Sequence, residues 1–285
     1  MRFGTTYLGS SVYAGVFDTD LLSYKNPNGV TMADAVRAFG GDPDALAEAA
    51  RDVSDLLGYF EVHIEQGPVL EGLGLPIAVV SGIVGESSVK IEVLGEAGHA
   101  ETLEMEKHRE ALCAGAEFML AEEETTRKEP GMVATVDHIS VHPSAHTVIP
   151  SAAPLGIDLR HEDDLVREHA LLSLRDRAEA IAAARGGATR WHVHQESLAV
   201  PADPKLMALV AQAIAEVGYS VERLPSGAGH DAAAVVEIAP IAMLLVRCRG
   251  GTNHNPAESV ESEDVAAAIE ATSRFLDLLA EASWR

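Results

Sequence analysis

The stretch VKIEVL, residues 89–94, alternates apolar and polar side chains and opens the part of the chain whose pattern decides the fold. Such alternation is typical of a β-strand with one buried face. It is followed by a helical pattern at 104–127, strand patterns at 133–141 and 155–159, an alanine-rich helical pattern at 165–185 and a last alternating stretch at 189–194. This order predicts a small split βαβ domain, a four-stranded sheet with two helices on one face.

The segments on either side of this domain carry α/β signals. An alternating stretch at 59–64 predicts a strand, and the nearly continuous apolar run at 241–246 predicts a buried parallel strand. Helices are expected after the cap Thr31, from Asp42-Pro43 to Leu56, after Asp203-Pro204 and, as a capped C-terminal helix, over 262–280. We therefore expect an α/β domain in two parts, 1–82 and 199–285, interrupted by the split βαβ domain at 83–198.

Composition and charge limit the functional classes. The chain has 285 residues, with 21 Lys and Arg against 44 Asp and Glu, so its formal net charge is −23. Proteins that bind duplex nucleic acid or anionic membranes present Lys and Arg to the phosphates. Neither nucleic acid nor a membrane is therefore expected as a primary partner.

The cysteine content and the hydropathy of the chain indicate in which cellular compartment the protein is expected. Cys113 and Cys248 are the only cysteines, which gives no disulfide framework and no CxxC metal knuckle. We find no signal-peptide pattern and no apolar stretch near the ~18 residues of a membrane span. A soluble, cytoplasmic protein is expected. The chain begins inside a glycine-punctuated loop, residues 1–11, where a self-contained fold rarely starts.

Four glycine-containing stretches concentrate the residue types that build metal and acyl-transfer sites. They read HIEQG (63–67), GEAGHA (95–100), PSGAGHD (225–231) and GGTNHNPAE (250–258). In the first stretch, His63 and Glu65 are expected on one face of a strand end, where α/β sheets place ligands. In the last, a neighbouring asparagine can orient the His254 ring through its second nitrogen, as zinc ligands generally require. Any one of these histidines taken alone is more often an ordinary surface residue than a ligand.

Longer stretches containing three of these motifs resemble a known group. HIEQGPVLE (63–71), PSGAGHDA (225–232) and GGTNHNPAE (250–258) are similar to signatures of the N-carbamoyl-L-amino-acid hydrolase, allantoate amidohydrolase and β-ureidopropionase group. The match continues through RFGTTYLGS (2–10) and IDLRHEDD (157–164), so it covers essentially the whole chain in the right order. The resemblance implies the fold of the dinuclear-metal amidohydrolase and aminopeptidase superfamily. In that fold, a zinc-aminopeptidase-like α/β catalytic domain is interrupted by a four-stranded, ferredoxin-like lid or dimerisation domain.

The resemblance also implies roles for individual residues. His63 and His254 would each ligate one metal, and His99 would reach into the neighbouring subunit's site as a catalytic donor. Substrate binding is implied for Gln66, Thr147, Arg160, Ser226, Gly227 and Gly229. The chemistry is suitable, since an arginine fork fits a planar carboxylate, a histidine donor stabilises an oxyanion, and glycines let backbone donors approach a ligand closely.

The implied partners follow from the same resemblance. They are a small carboxylate substrate that carries a ureido or amide group, a divalent metal (zinc, manganese or cobalt), and a second copy of the chain bound through the lid domain. The sequence does not discriminate between carbamoyl amino acids, β-ureido acids and allantoate, and His and carboxylate sites accept several divalent ions.

The sequence departs from the group's pattern at the metal site. The group's HxD motif and Glu-Glu pair lie upstream of the RFG segment with which this chain begins, and the acidic run at 122–124 is expected to be a solvated helix face. We therefore expect the N-terminal part of the catalytic domain to be missing and the metal site to be incomplete, because dinuclear sites rely on shared carboxylates. In the lid, Thr147 and Gly98 stand where the group has asparagines.

Two functional classes remain open on the sequence. The first is a metal-dependent amidohydrolase of linear C–N bonds. The second is a non-catalytic relative that dimerises or binds a ligand, or a subunit whose site is completed by another chain. Retention of His63, Gln66, Arg160 and His254 favours the first class, whereas the altered stretch at 98–104 favours the second.

Overall fold

A computed structural model describes residues 2–282 of the chain. The α-helices are α1 (Leu8–Tyr13), α2 (Met32–Phe39), α3 (Val69–Leu73), α4 (Ala111–Thr126), α5 (Asp164–Ala184), α6 (Pro204–Glu216), α7 (Ala232–Val235) and α8 (Ser262–Glu281). The strands are β1 (Tyr59–Ile64), β2 (Ile77–Ile83), β3 (Gly85–Leu94), β4 (Val133–Ile139), β5 (Ala152–His161), β6 (Ala188–Ser197), β7 (Val200–Pro201), β8 (Arg223–Ser226) and β9 (Ile241–Val246). Met1 and residues 283–285, the outer limits of the predicted two-part domain, lie outside the described residues.

The chain divides into two compact units. The first contains the chain up to Ile83 and again from Val200, and the second is Val84–Ala199. In the part of the first unit that the structure describes, five strands form a mixed sheet in the order β1-β9-β2-β7, with β8 also paired to β2. β1 runs parallel to β9, and β9 runs antiparallel to β2. β1 therefore lies at the edge of this sheet.

Two apolar layers cover the faces of this sheet. On one face, α6 and α8 pack against Ile77, Val79 and Leu244, with Phe275 among the fully buried side chains. On the other face, Leu70 and Ala232 pack with Ala78, Val80, Met243 and Leu245. All six residues of β9 are buried, as its continuous apolar sequence predicts, because the strand is covered on both faces.

The second unit is a four-stranded antiparallel sheet with two helices. The strand order is β4-β5-β3-β6 in the residues described here, and the chain order is strand, helix, strand, strand, helix, strand, as the sequence predicts. Its core contains Phe118 and Leu174 from α4 and α5 and the inward side chains of β3 and β5. The fully buried Arg167 donates to the Ser87 hydroxyl at 2.9 Å and pairs with Asp164.

Two expected helices differ in the structure. The segment expected to be helical from Asp42-Pro43 to Leu56 forms only 3₁₀ turns, at Leu46–Ala49 and Val53–Asp55. None of its residues in these turns is buried, so there is no apolar face to stabilise a longer helix. The helix expected over 104–127 begins only at Ala111. Just before it, the Arg109 carbonyl accepts a hydrogen bond from the Glu96 N–H at 2.9 Å and is therefore paired outside the helix.

Three details of the helices refine the sequence predictions. Thr31 caps α2 through the Asp34 N–H, as expected. The C-terminal helix α8 has no side-chain cap bond, so the expected cap is wrong. The expected solvated face at 122–124 is found at Glu123 and Glu124, which are exposed, but the expectation is wrong at Glu122, which is only 4% exposed and whose Oε1 has no hydrogen-bond partner among the described residues. Over residues 2–282, none of the helices combines the length and apolar composition needed to cross a bilayer.

Candidate active site

His63 lies one residue before the carboxyl end of β1, next to the buried strand β9. Because the two strands are parallel, with Ile64 opposite Val246, the loops that follow them leave from the same edge of the sheet. His63 Nδ1 is 2.9 Å from the carbonyl oxygen of Ile64. A carbonyl can only accept, so Nδ1 carries the proton and a neutral ring presents Nε2 as a free acceptor. Nε2 is therefore the atom that can bind a cation.

Glu65 has a structural role that differs from the sequence expectation. The strand ends at Ile64, and the Glu65 carboxylate turns back to accept the N–H groups of Val69 and Leu70 at 2.7 and 2.9 Å. An acidic side chain at this position satisfies the free donors at the start of α3. The Glu65 carboxylate is therefore engaged at the start of α3, and its expected position on the same face as His63 stays a prediction.

The loop at 250–258 packs against the turn at 65–68. Asn253 Nδ2 donates to the Gln66 carbonyl at 3.0 Å, and a Cβ at Gly251 would collide with the Gly67–Pro68 backbone. Gln66 and His254 both have a left-handed backbone, with φ of 56° and 53°. The structure thus brings together two of the four glycine-containing stretches at the adjacent ends of β1 and β9. The His254 side chain is exposed there.

A buried hydrogen-bonded network lies beside His63. Ser226 Oγ and His230 Nε2 are 2.6 Å apart, and His230 Nδ1 is 3.4 Å from Glu61 Oε1. The rings of His63 and His230 meet edge to face, with centroids 4.6 Å apart. Because the carboxylate can only accept, Nδ1 of a neutral His230 donates to Glu61, and Nε2 accepts the Ser226 hydroxyl proton. A hydroxyl, an imidazole and a carboxylate in this order resemble an activated serine, but Ser226 is 1% exposed and does not face a ligand.

The Glu61 carboxylate is the charged end of this network. Burial raises the pKa of this carboxyl, but its hydrogen-bonding neighbours His230, Ala232 and Tyr59 lower it by more, so the pKa lies below its usual value. The Ala232 N–H and the Tyr59 hydroxyl both donate to Oε2 at 3.2 Å. Burial, together with the charge of Glu61, raises the pKa of Tyr59. Glu61 is thus an ionised acceptor held by three donors.

The loop at 226–229 exposes mainly backbone atoms to solvent. Gly227 and Gly229 are exposed, while the Ser226 hydroxyl is directed inward and also lies 3.4 Å from the Ala228 N–H. A Cβ at Gly229 would collide with the Tyr7 hydroxyl. Of the three predicted substrate-binding positions in this loop, the two glycines are therefore the exposed ones.

The other predicted positions belong to the second unit. His99 and Val148 form an isolated antiparallel bridge, and the Ala100 N–H donates to the Thr147 carbonyl at 2.8 Å. Thr147 has a left-handed backbone, with φ of 67°. The structure therefore brings His99 and Thr147 to neighbouring positions within this unit.

Arg160 lies on β5 and is surrounded by carboxylates. Its Nε donates to Asp158 Oδ1 at 2.6 Å, its Nη2 donates to Asp158 Oδ2 at 3.2 Å, and Glu86 Oε2 is 3.4 Å away. Burial raises the pKa of Glu86, Arg160 lowers it, and the nearby Asp158 raises it, with a net increase. Arg160 is thus a bidentate donor whose fork already faces a carboxylate, the geometry that a carboxylate ligand also requires.

The predicted metal ligands do not belong to a larger cluster of donor side chains in the described residues. Between residues 2 and 282, no group of three or more His, Cys, Asp and Glu side chains is arranged to hold a metal ion. The two predicted ligands, His63 and His254, are imidazoles, and a dinuclear site needs carboxylate charge to hold two cations close together. The donor set in this part of the chain therefore does not fit a dinuclear centre by itself.

Sequence reasoning missed three residues of this site: Glu61, His230 and Tyr7. A signal was present for Glu61, which is two residues before His63 and so shares its face of β1. His230 lies within a quoted motif but received no role, since its contact with Glu61 depends on the packing of distant segments. Tyr7 lies in the quoted RFGTTYLGS stretch and carried no chemical signal of its own.

Comparisons with known proteins agree with this architecture. The chain is 35% identical to an allantoate deiminase of Arabidopsis thaliana, over 97% of this chain and 58% of that protein. It is also 35% identical to an N-carbamoyl-L-amino acid amidohydrolase of Geobacillus stearothermophilus, over 94% of this chain and 66% of that protein. The chain thus spans about three-fifths to two-thirds of the length of these curated relatives.

A solved structure and a family model match as well. The crystal structure of an amidase of the hydantoinase/carbamoylase family from Burkholderia multivorans superimposes with a TM-score of 0.87 and 31% identity, covering 96% of this chain and 66% of that one. This match confirms the predicted fold class. The model of the peptidase family M20/M25/M40 matches residues 35–278. With most of its length matched by that model, the chain belongs to the peptidase family M20/M25/M40.

Proposed function

We propose that this chain serves a metal-dependent amidohydrolase that cleaves a linear C–N bond in a small carboxylate with a ureido or amide group. The observation that supports the proposal is the contact between the 250–258 loop and the turn that contains Gln66. This contact lies at the adjacent ends of β1 and β9. The names of the relatives, allantoate deiminase and N-carbamoyl-L-amino acid amidohydrolase, support the substrate class.

Individual residues take the following roles in the proposal. His63, through Nε2, and His254 contribute to cation binding. Gln66 and the exposed backbone of Gly227 and Gly229 contact the substrate. The inward position of the Ser226 hydroxyl supports a role in shaping that loop.

The second unit contributes the remaining roles. Arg160 binds the substrate carboxylate through its fork, Thr147 contributes a hydroxyl contact, and His99 stabilises negative charge that develops on the scissile carbonyl oxygen. We propose that His99 acts in the site of a second copy of the chain, in a homodimer formed through this unit. The cation is zinc, manganese or cobalt, and the low cysteine content supports a cytoplasmic location.

The test is product release by the purified chain. The chain is incubated with zinc, manganese or cobalt and with allantoate, an N-carbamoyl-L-amino acid or 3-ureidopropionate, and ammonia is measured. We expect release with at least one combination and its loss in a chelator. We also expect His63→Ala to lower the rate about 100-fold or more, whereas the exposed His194→Ala control on β6 retains it.

A lack of product release would overturn the proposal. If a folded chain releases no product with any cation, the amidohydrolase proposal for this chain fails. Calorimetric binding of the same substrates without turnover would then support a ligand-binding role or a site completed by another chain.

A further inference from the structure

Asn253 contacts one predicted site residue, Gln66, and directly precedes another, His254, but the sequence assigns it no substrate contact. Its amide nitrogen donates to the Gln66 carbonyl at 3.0 Å and to the Gly251 carbonyl at 3.3 Å. Because a carbonyl can only accept, these two partners identify the amide nitrogen and so fix the orientation of the side chain. Oδ1 is the end of the amide that these bonds leave unused.

The Oδ1 atom of Asn253 is accessible to solvent. It has no hydrogen-bond partner among residues 2–282. In this part of the chain, the buried polar side-chain atoms without a partner are Glu122 Oε1 and Arg167 Nη2. Oδ1 of Asn253 is not one of them, so it reaches solvent, although the residue as a whole is half-buried. A hydrogen-bond acceptor is thus held in a fixed orientation and is open to a donor.

The backbone around this side chain is held in place. Gln66 and His254 both have a left-handed backbone, which costs free energy in a non-glycine residue and is found at ligand clamps. A Cβ at Gly251 would collide with the Gly67–Pro68 backbone, so the loop and the turn pack without a gap. An acceptor that is already ordered loses little conformational freedom when it binds a ligand.

An acceptor at this position distinguishes between the two ligand groups of the proposed function. A ureido group ends in –NH2 and so has N–H donors that a simple amide lacks. In an N-formyl group, for example, a hydrogen on carbon replaces this –NH2. A site that accepts a hydrogen bond from a substrate N–H binds the analogue without that N–H less well, because the acceptor is left unpaired.

We propose that Asn253 is a specificity-determining residue, whose Oδ1 accepts a hydrogen bond from the terminal –NH2 of a ureido ligand. The residue thereby selects ureido ligands over simple amides. This inference rests on the proposed amidohydrolase function and narrows its substrate class.

The test compares two ligands that differ in the terminal –NH2, N-carbamoyl-L-alanine and N-formyl-L-alanine. Calorimetry measures the Kd of each for the wild-type chain, with the cation used in the assay of product release. We expect the N-carbamoyl ligand to bind about three- to tenfold more tightly, as for one hydrogen bond. In Asn253→Ala the ratio of the two Kd values should fall to about one. Equal affinities in the wild-type chain, or an unchanged ratio in the variant, would overturn the proposal.

Asn255→Ala is the matched control in the same loop. Asn255 is exposed, but its Oδ1 already accepts the Ala257 N–H at 2.9 Å. Its substitution perturbs the loop without removing the proposed acceptor, so both ligands should be affected alike and the ratio should keep its wild-type value. If Asn255→Ala also brings the ratio to one, the preference comes from the loop as a whole and the role of Asn253 Oδ1 is refuted.

A spectroscopic measurement decides the case in which Asn253→Ala binds neither ligand. The side-chain amide resonance of Asn253 is identified by its absence from the ¹H–¹⁵N spectrum of that variant. In the wild-type chain, N-carbamoyl-L-alanine should shift this resonance because Oδ1 gains a donor, whereas N-formyl-L-alanine should not. The same shift with both ligands, or no shift with either, contradicts the proposal.

The outcomes separate this inference from the function on which it rests. If the wild-type chain binds or turns over both ligands equally well, the Asn253 proposal fails alone and the amidohydrolase proposal stands. If the wild-type chain neither binds nor turns over any ureido or amide ligand, both proposals fail.

Discussion

His230 is 3% exposed and bonded at both ring nitrogens, which makes it the most constrained imidazole near β1. Its two partners come from different parts of the chain, Glu61 on β1 and Ser226 at the end of β8. A buried ring nitrogen that loses its partner retains the full desolvation penalty. The network therefore fixes the edge-to-face contact between His230 and His63.

This network gives the first prediction. Ser226→Ala leaves His230 Nε2 buried without its 2.6 Å partner, so we expect the free energy of unfolding to fall by about 1–3 kcal/mol. Urea denaturation followed by circular dichroism measures the change. The exposed Ser273→Ala on α8 is the control and should change stability by less than about 0.5 kcal/mol. A Ser226→Ala variant as stable as the control would show that the bond contributes nothing.

Glu122 gives the second prediction, which concerns pH. Burial, and to a smaller extent the charge of Glu123, raise the pKa of Glu122 above its ordinary value of 4.5. The native state then binds more protons than the unfolded state between the two pKa values, so the free energy of unfolding falls as pH rises through that window. The penalty is fully present above the raised pKa.

Glu122→Gln removes this titration. We expect the variant to gain stability relative to the wild-type chain as pH rises above about 4.5 and to keep that gain at neutral pH. Thermal melts across the acidic to neutral range measure the difference, and the exposed Glu168→Gln on α5 serves as the control. A difference that does not change with pH would contradict a raised pKa.

At the level of single elements, the strands were the most predictable features. The alternating 59–64 and the apolar 241–246 form β1 and β9 with the expected bounds, and β9 is buried along its whole length as its apolar sequence predicts. The 43–56 segment has good helix formers but no buried face, so local propensity misled the prediction. The start of α4 depends on a backbone bond between Glu96 and Arg109, which no local pattern reveals.

The candidate site was predictable to a smaller extent. The sequence placed His63 at a strand end, and the resemblance gave roles to Gln66 and His254. In the structure these segments meet at one edge of the sheet, since parallel strands bring their carboxyl ends together. The contact of His230 with Glu61 and the position of Tyr7 could not be predicted, because they arise where segments over 150 residues apart in sequence pack together.

The cap of α6 gives the third prediction. The Asp203 carboxylate accepts the N–H groups of Lys205 and Leu206, both at 2.9 Å, and α6 packs on the sheet through Val210 and Ile214. Asp203→Ala should lower the free energy of unfolding by about 1 kcal/mol. The same denaturation assay applies, with the exposed Asp277→Ala on α8 as the control. Equal stability of the two variants would mean that the first turn of α6 needs no cap.

At the scale of the whole molecule, each unit has its own core. Every buried residue of the Phe118 and Leu174 cluster lies within 84–199. The clusters of the first unit, around Phe275 and around Leu70, lie entirely outside that range. A unit whose buried apolar side chains are all its own has the main requirement for independent folding.

Independent folding of the second unit is the fourth prediction. A fragment of residues 84–199 should show a single cooperative urea transition and dispersed amide resonances. Leu174→Ala in the fragment, which removes a fully buried side chain, should lower its stability by about 2–5 kcal/mol. A fragment without a cooperative transition would show that this unit depends on the rest of the chain.

The edge position of β1 has a consequence for the behaviour of the protein at high concentration. Its outer edge pairs with no strand among residues 2–282, and unpaired edges are templates for intermolecular strand addition. The net charge of −23 opposes such contacts by repulsion, which salt screens. We expect light scattering to increase with ionic strength and Val62→Lys on β1 to suppress the increase, whereas Val221→Lys, at a similarly exposed valine outside the strands, leaves it unchanged. Scattering that is independent of salt would show that this edge does not pair with other molecules. Storage at low ionic strength would then not reduce association of the protein.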